Sequence, residues 1–161
     1  MKNLLLAYIL VVMAESCSTV PAQRRQDEIA VLGRAEEFVG ALYHNDFGKW
    51  WDMMVPADKN FQISGADNRE DYIKVWRKAS EHITIVDYDS ARIVAIGDRY
   101  AVTQSYVAYD VQEGDQKRSV KGCEKTIWLK LSVGWYWHKT GLDCDYLPST
   151  QELEGLTRDL R

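Results

Sequence analysis

The sequence predicts an α+β fold in which three helices precede a curved antiparallel sheet. Three observations carry that expectation. Up to Ser80, apolar residues recur at helical spacing. After Ser80 the period changes to runs of β-branched and aromatic residues that alternate like strands. Turn residues then punctuate those runs: Gly97-Asp98, the stretch "EGDQ", and Ser132-Val133-Gly134. Helices first and strands afterwards is α+β order.

The elements follow in sequence. A first helix is expected from Asp27 to about His44, because Val31, Ala35, Phe38 and Leu42, flanked by Leu32 and Val39, fall on one face. Asp46 is placed to cap a short second helix whose apolar side is Phe47, Trp50, Trp51 and Met54, with Pro56 ending it. "NFQIS" is a short strand candidate. Asn68 caps a third helix, Asp71 imitates a capping box, and Tyr72, Val75, Trp76 and Ala79 form its stripe. "HITIVDYDSARIVAIG" reads as one long bent strand, and "RYAVTQSYVAYDV", "KRSVKGCEKTIWLKL" and "WYWHKTG" follow as strands. The tail "STQELEGLTRDL" is weakly amphipathic, a short-helix candidate.

A chain of 161 residues with 46% hydrophobic residues holds one domain with a real core. The net charge of -4 and the lack of any basic run among the aromatics argue against a nucleic-acid partner. The N-terminus points elsewhere. Lys2 precedes ten apolar residues, Leu4 to Met13, too few for a permanent membrane span and suited to a secretory signal peptide. Ala14-Glu15-Ser16-Cys17 resembles a bacterial lipobox, which implies lipidation of Cys17, although Ala14 and Glu15 depart from its pattern. The rival is ordinary cleavage after Ala22, where Val20-Pro21-Ala22 carries small residues at the positions read by signal peptidase. With Ser18 rather than an acidic residue after the cysteine, the lipoprotein resemblance implies an outer-membrane anchor facing the periplasm; a soluble periplasmic or secreted protein is the alternative. The expected organisation is a signal peptide over 1–16, an anchor and polar linker over 17–26, the domain over 27–146 and a tail over 147–161.

Export decides how the cysteines are read. Both processing schemes leave one pair, Cys123 and Cys144, and in an oxidising envelope an isolated pair reads as a disulfide. No CxxC or HxxxH occurs, so neither a metal site nor redox catalysis is expected. A three-residue loop Ser132-Val133-Gly134 would pair Leu131 with Trp135 and Leu129 with Trp137, on one face. Cys144 then meets Cys123 only through a bulge near Gly141. A two-residue loop Val133-Gly134 would pair the cysteines directly but split the leucines from the tryptophans.

The segments "AEEFVGALYHNDFGKWWDMM", "REDYIKVWRKA" and "TIWLKLSVGWYWHKTG" resemble the NTF2-like (SnoaL-like) cone-fold domains, over about residues 27 to 142. The resemblance implies a sheet wrapped around a pocket that helices close. That family includes ketosteroid isomerases, dehydratases and epoxide hydrolases beside many non-enzymatic members, and its outer sheet face often dimerises. No catalytic motif of those enzymes aligns here, so no family residue is carried over, and no cofactor is implied.

From the residues alone, Gln104, Glu124 and His138 are the polar groups in apolar strand surroundings. Glu124 fits a general base raised in pKa by burial, or else a solvent-facing glutamate, which is the expected reading. His138 is expected to face away from the tryptophan side. Trp51, Tyr72, Trp76, Gln104, Tyr106, Trp135 and Trp137 are pocket candidates for a flat apolar ligand, with ordinary core the alternative for Trp76 and Trp135. Tyr100 and Tyr106 share one strand face and Tyr109 takes the other. The leading expectation is an exported, lipid-anchored binding or assembly module, able to meet a second copy or an envelope protein through its sheet face. The alternatives are a small-molecule isomerase or dehydratase and a carrier of apolar ligands. A hollow cone with two converging ionisable groups would favour the enzyme, and a filled one the scaffold.

Overall fold

The structure is a computed structural model that describes the backbone of residues 2–60 and 68–158 and the side chains of residues 22–59 and 68–158. Helix α1 runs Lys2–Tyr43, α2 Phe47–Asp52, and α3 Arg69–Ser80. The strands are β1 Ile83–Tyr88, β2 Arg92–Ile96, β3 Tyr100–Glu113, β4 Gln116–Leu131 and β5 Gly134–Leu142, followed by helix α4, Thr150–Arg158. The expected first helix is present but begins before Asp27. Its described part carries an Arg24–Glu28 pair at i,i+4 spacing, and Ala22 to Ala30 contains no helix breaker. The Cys17 side chain and the strand candidate "NFQIS" from Phe61 on lie outside the described residues.

The caps are where the side chains put them. Asp46 accepts the Lys49 N–H at 3.0 Å, and Asn68 accepts those of Glu70 and Asp71 at 2.9 and 3.0 Å. The tail helix owes its start to a reciprocal box. The Ser149 N–H donates to the Glu152 carboxylate at 2.8 Å while the Glu152 N–H reaches the Ser149 hydroxyl at 3.3 Å.

All strand pairs are antiparallel, in the order β1-β3-β4-β5, with β2 also on β3. The single bent strand expected over 82–97 is therefore two. β1 and β2 follow the same edge of β3, and the chain breaks between them at Asp89–Ala91. Even there the Asp89 N–H donates to the Tyr106 carbonyl, at 2.9 Å.

The β4–β5 turn differs from the expectation by one residue. Leu131 pairs with Gly134, leaving a two-residue loop Ser132-Val133, and Trp128 rather than Leu129 pairs with Trp137. A one-residue slip moves every side chain to the other face. Leu129 accordingly packs away from the tryptophans, against Val55, Val102, Ile127 and Leu153. Two irregularities then restore the phase, one at His138 and one next to Gly141, whose φ of 69° suits glycine. The predicted bulge near Gly141 is present, and Cys123 and Cys144 are joined, with Cα atoms 5.8 Å apart.

The sheet carries a core on each face. One core lies under α1, α2 and α3, where Phe38, Trp50, Trp128 and Trp137 meet with ring centroids 5.3 to 5.7 Å apart. A smaller core on the far face is covered by α4 through Leu153, only 1% exposed. The same far face carries Lys125, whose ammonium donates to the carbonyls of Cys144 and Tyr146 at 2.5 and 2.9 Å. Lys130 reaches back to Asp27 at 2.5 Å and ties α1 to the sheet.

Candidate functional site: a cavity between sheet and helices

Strand alternation sets one wall. Ser105 pairs with Glu124 and Val107 with Gly122, so Ser105, Val107 and Tyr109 of β3 share a face with Gly122, Glu124 and Thr126 of β4. That face looks at the helices. Phe38 and Leu42 of α1, Phe47 and Trp50 of α2, and Tyr72 and Trp76 of α3 stand opposite it. The space between is a cavity of about 490 Å³, with Ile83 and Asn45 exposed at its edge. Most of the lining is apolar or aromatic, as in small-molecule sites.

The polar groups are few. Glu124 sits half-buried in the wall, not facing solvent as the sequence suggested. Its carboxylate makes no hydrogen bond or ion pair among the described residues, and burial raises its pKa above the ordinary carboxylate value. A carboxyl whose pKa is higher folded than unfolded costs stability when ionised. The cost is absent at low pH and grows as pH rises through the ordinary carboxylate range. Thr126 and Thr140 share a hydrogen bond, with their hydroxyl oxygens 2.9 Å apart.

His138 also contributes to the cavity lining, although the expectation for a regular strand was that it faces away from the tryptophans. It is the extra residue at an irregularity, where β5 departs from strict alternation. Its Nδ1 meets Asp58 Oδ2 at 2.7 Å, an orienting contact from the turn Asp58–Asn60.

Five buried polar atoms lack partners among the described residues: the indole nitrogens of Trp50, Trp76 and Trp135 and the hydroxyls of Tyr72 and Tyr109. All but Trp135 belong to residues that line the cavity. Burial pushes the Tyr72 phenol far above its ordinary value; the neighbouring Trp76 indole works the other way, without reaching hydrogen-bonding geometry. Groups left without partners inside a fold are rare and need a reason.

Of the pocket candidates, Tyr72, Trp76 and Trp137 do line the cavity. Trp51 packs on Tyr72 with centroids 4.8 Å apart, outside the lining, and Lys59 stands over its ring. Trp135 is core beside Lys130. Gln104 and Tyr106 are on the far sheet face, where the Gln104 amide lies 3.5 Å from the Tyr106 hydroxyl. Ser105, Thr126 and Tyr109 were missed as lining residues. The signal was present, since the odd-numbered face of β3 was already separated from Tyr100 and Tyr106. Among the described residues no group of three His, Cys, Asp or Glu side chains is placed to hold a metal ion.

Solved structures share this arrangement at low identity. A ketosteroid isomerase-like protein from Erwinia carotovora atroseptica matches with a TM-score of 0.51 at 11% identity, covering 71% of this chain and 92% of its own. A candidate dehydratase from the NTF2-like family of Streptomyces avermitilis matches at 0.51 and 14% identity, covering 73% and 94%. The fold is the NTF2-like cone. An NTF2-like protein with a cystatin-like fold from Novosphingobium aromaticivorans agrees, at 0.50 and 9% identity over 79% and 86% of the two chains. No protein-family model and no curated protein matches the sequence. In this cone the sheet supplies most of the polar groups and the three helices supply most of the aromatic wall.

Proposed function

We propose that this chain is an exported, lipid-anchored envelope protein whose cone binds a small, largely apolar molecule without transforming it. The observation that carries the binding reading is the cavity itself. A purely architectural cone has no reason to leave about 490 Å³ unfilled behind seven aromatic side chains, Phe38, Phe47, Trp50, Tyr72, Trp76, Tyr109 and Trp137. Binding is favoured over turnover because, among the described residues, the ionisable groups of the lining do not converge: Glu124 pairs with neither His138 nor Lys139, and the partner of His138 is Asp58, outside the lining. The enzyme reading keeps one specific support, the raised pKa of Glu124, which suits an isomerase- or dehydratase-type base. The uncovered part of the far sheet face, where Tyr106 is 41% exposed, is the surface offered to a second copy or an envelope partner.

Binding is tested with 2-naphthalenemethanol, followed by quenching of tryptophan fluorescence. Ser105→Phe, which puts a ring into the space from the strand side, is expected to weaken that binding more than about tenfold, or about 1.4 kcal/mol. Ala79→Phe fills it from the α3 side and repeats the test should the strand variant misfold. Quenching that survives both substitutions, in protein whose circular dichroism is unchanged, would exclude the cavity as the site.

Export and anchoring rest on Lys2, the apolar run Leu4 to Met13 and the Cys17 context. Metabolic labelling with a fatty-acid probe in a bacterial host should mark the natural chain and leave Cys17→Ala unlabelled. Equal labelling of the two, or none in either, would rule out the anchor.

A further inference from the structure

We infer that the ligand of this cavity is an organic cation, a flat apolar amine whose ammonium pairs with the Glu124 carboxylate. The inference rests on the binding reading above and adds the ligand's chemical class to it. Three features converge. Glu124 is half-buried in the wall, opposite Ser105, and has no partner among the described residues. Its nearest basic neighbours in the chain are turned away from it. Lys125 is held on the far face by the Cys144 and Tyr146 carbonyls, and alternation sends Lys121 away too. Lys139 of β5 lines the cavity but is exposed and makes no ion pair with Glu124.

The second feature is the wall around that carboxylate. Aromatic faces attract cations, and Tyr109 leans so close over Gly122 that a Cβ there would stand 3.3 Å from its ring. A glycine at this strand position thus leaves room for a ring beside the carboxylate. The third is energetic. Burial penalises ionised Glu124 in the empty protein, and a bound ammonium would relieve that penalty with a charge-assisted hydrogen bond. A neutral ligand would leave the carboxylate uncompensated, and an anionic one would worsen it.

The test compares three probes of one shape on the full chain at neutral pH by isothermal titration: 2-(aminomethyl)naphthalene, 2-naphthalenemethanol and 2-naphthoate. A hydrogen bond to a charged partner predicts the amine binding at least about tenfold tighter than the alcohol. Naphthoate is expected to bind more weakly than either. In E124Q the ratio of amine to alcohol affinity should fall to within about twofold of one, since the charge-assisted contact is gone. The inference is overturned if the alcohol or naphthoate matches the amine on the natural chain, or if E124Q keeps the amine preference. In those outcomes the apolar-binding reading stands, because probes still bind. If none of the three binds, that reading falls and takes this one with it.

Discussion

Trp128→Ala should lower the unfolding free energy by about 3–5 kcal/mol, as large core truncations do. The ring is wholly buried, and it meets Phe38 in an edge-to-face arrangement with centroids 5.7 Å apart. Its indole N–H donates to the Thr103 hydroxyl at 2.8 Å, so truncation also strands a buried hydroxyl. For a chain of this size the loss corresponds to a melting point lower by on the order of 10 °C. Trp128→Phe keeps most of the buried area and loses only the hydrogen bond, so it should cost clearly less. Urea denaturation of the three proteins checks both statements. A loss below about 1 kcal/mol for the alanine variant would contradict the packing described at the centre of the cone.

Opening the Cys123–Cys144 bond should cost about 3 kcal/mol, by the loop-closure entropy of a crosslink that spans 21 residues. The bond does more than shorten the unfolded chain. It pins the segment after β5 to the far face, beside the two carbonyls that hold Lys125, and that segment delivers α4 to its core. Reduction, or Cys123→Ser with Cys144→Ser, should therefore also speed proteolysis near Tyr146 and Leu147, which are already half-exposed. Denaturation midpoints with and without reductant give the first number, and limited digestion the second. Two free thiols in protein recovered from an oxidising compartment would remove the staple altogether.

Much of the cone was legible because its causes are local. Period, caps and turns are short-range properties. Asn68, Asp46 and the stripe Tyr72-Val75-Trp76-Ala79 announced α2 and α3 from a few neighbouring residues. The Ser149–Glu152 box is equally local, and the tail helix had the same kind of signal. The cysteine pair was legible for a different reason, since its pairing followed from the count and from the compartment the sequence led one to expect. What failed were readings that depend on counting residues across a turn. Assuming three loop residues instead of two put Leu129 on the wrong face, and the irregularity at His138 broke the regular alternation on which that residue's expected direction depended.

By itself, then, the sequence determined the order of elements, the switch from helix to strand at Ser80, the crosslink and the face of β3 on which each tyrosine sits. Only the tertiary structure decided that Glu124 turns into an aromatic cavity, that Gln104 and Tyr106 turn out of it, and that the cone is hollow at all. The physical reason is that burial is a property of what packs opposite a residue. A glutamate between Cys123 and Lys125 reads the same whether water or Trp76 faces it, until three helices from the other half of the chain close over the sheet.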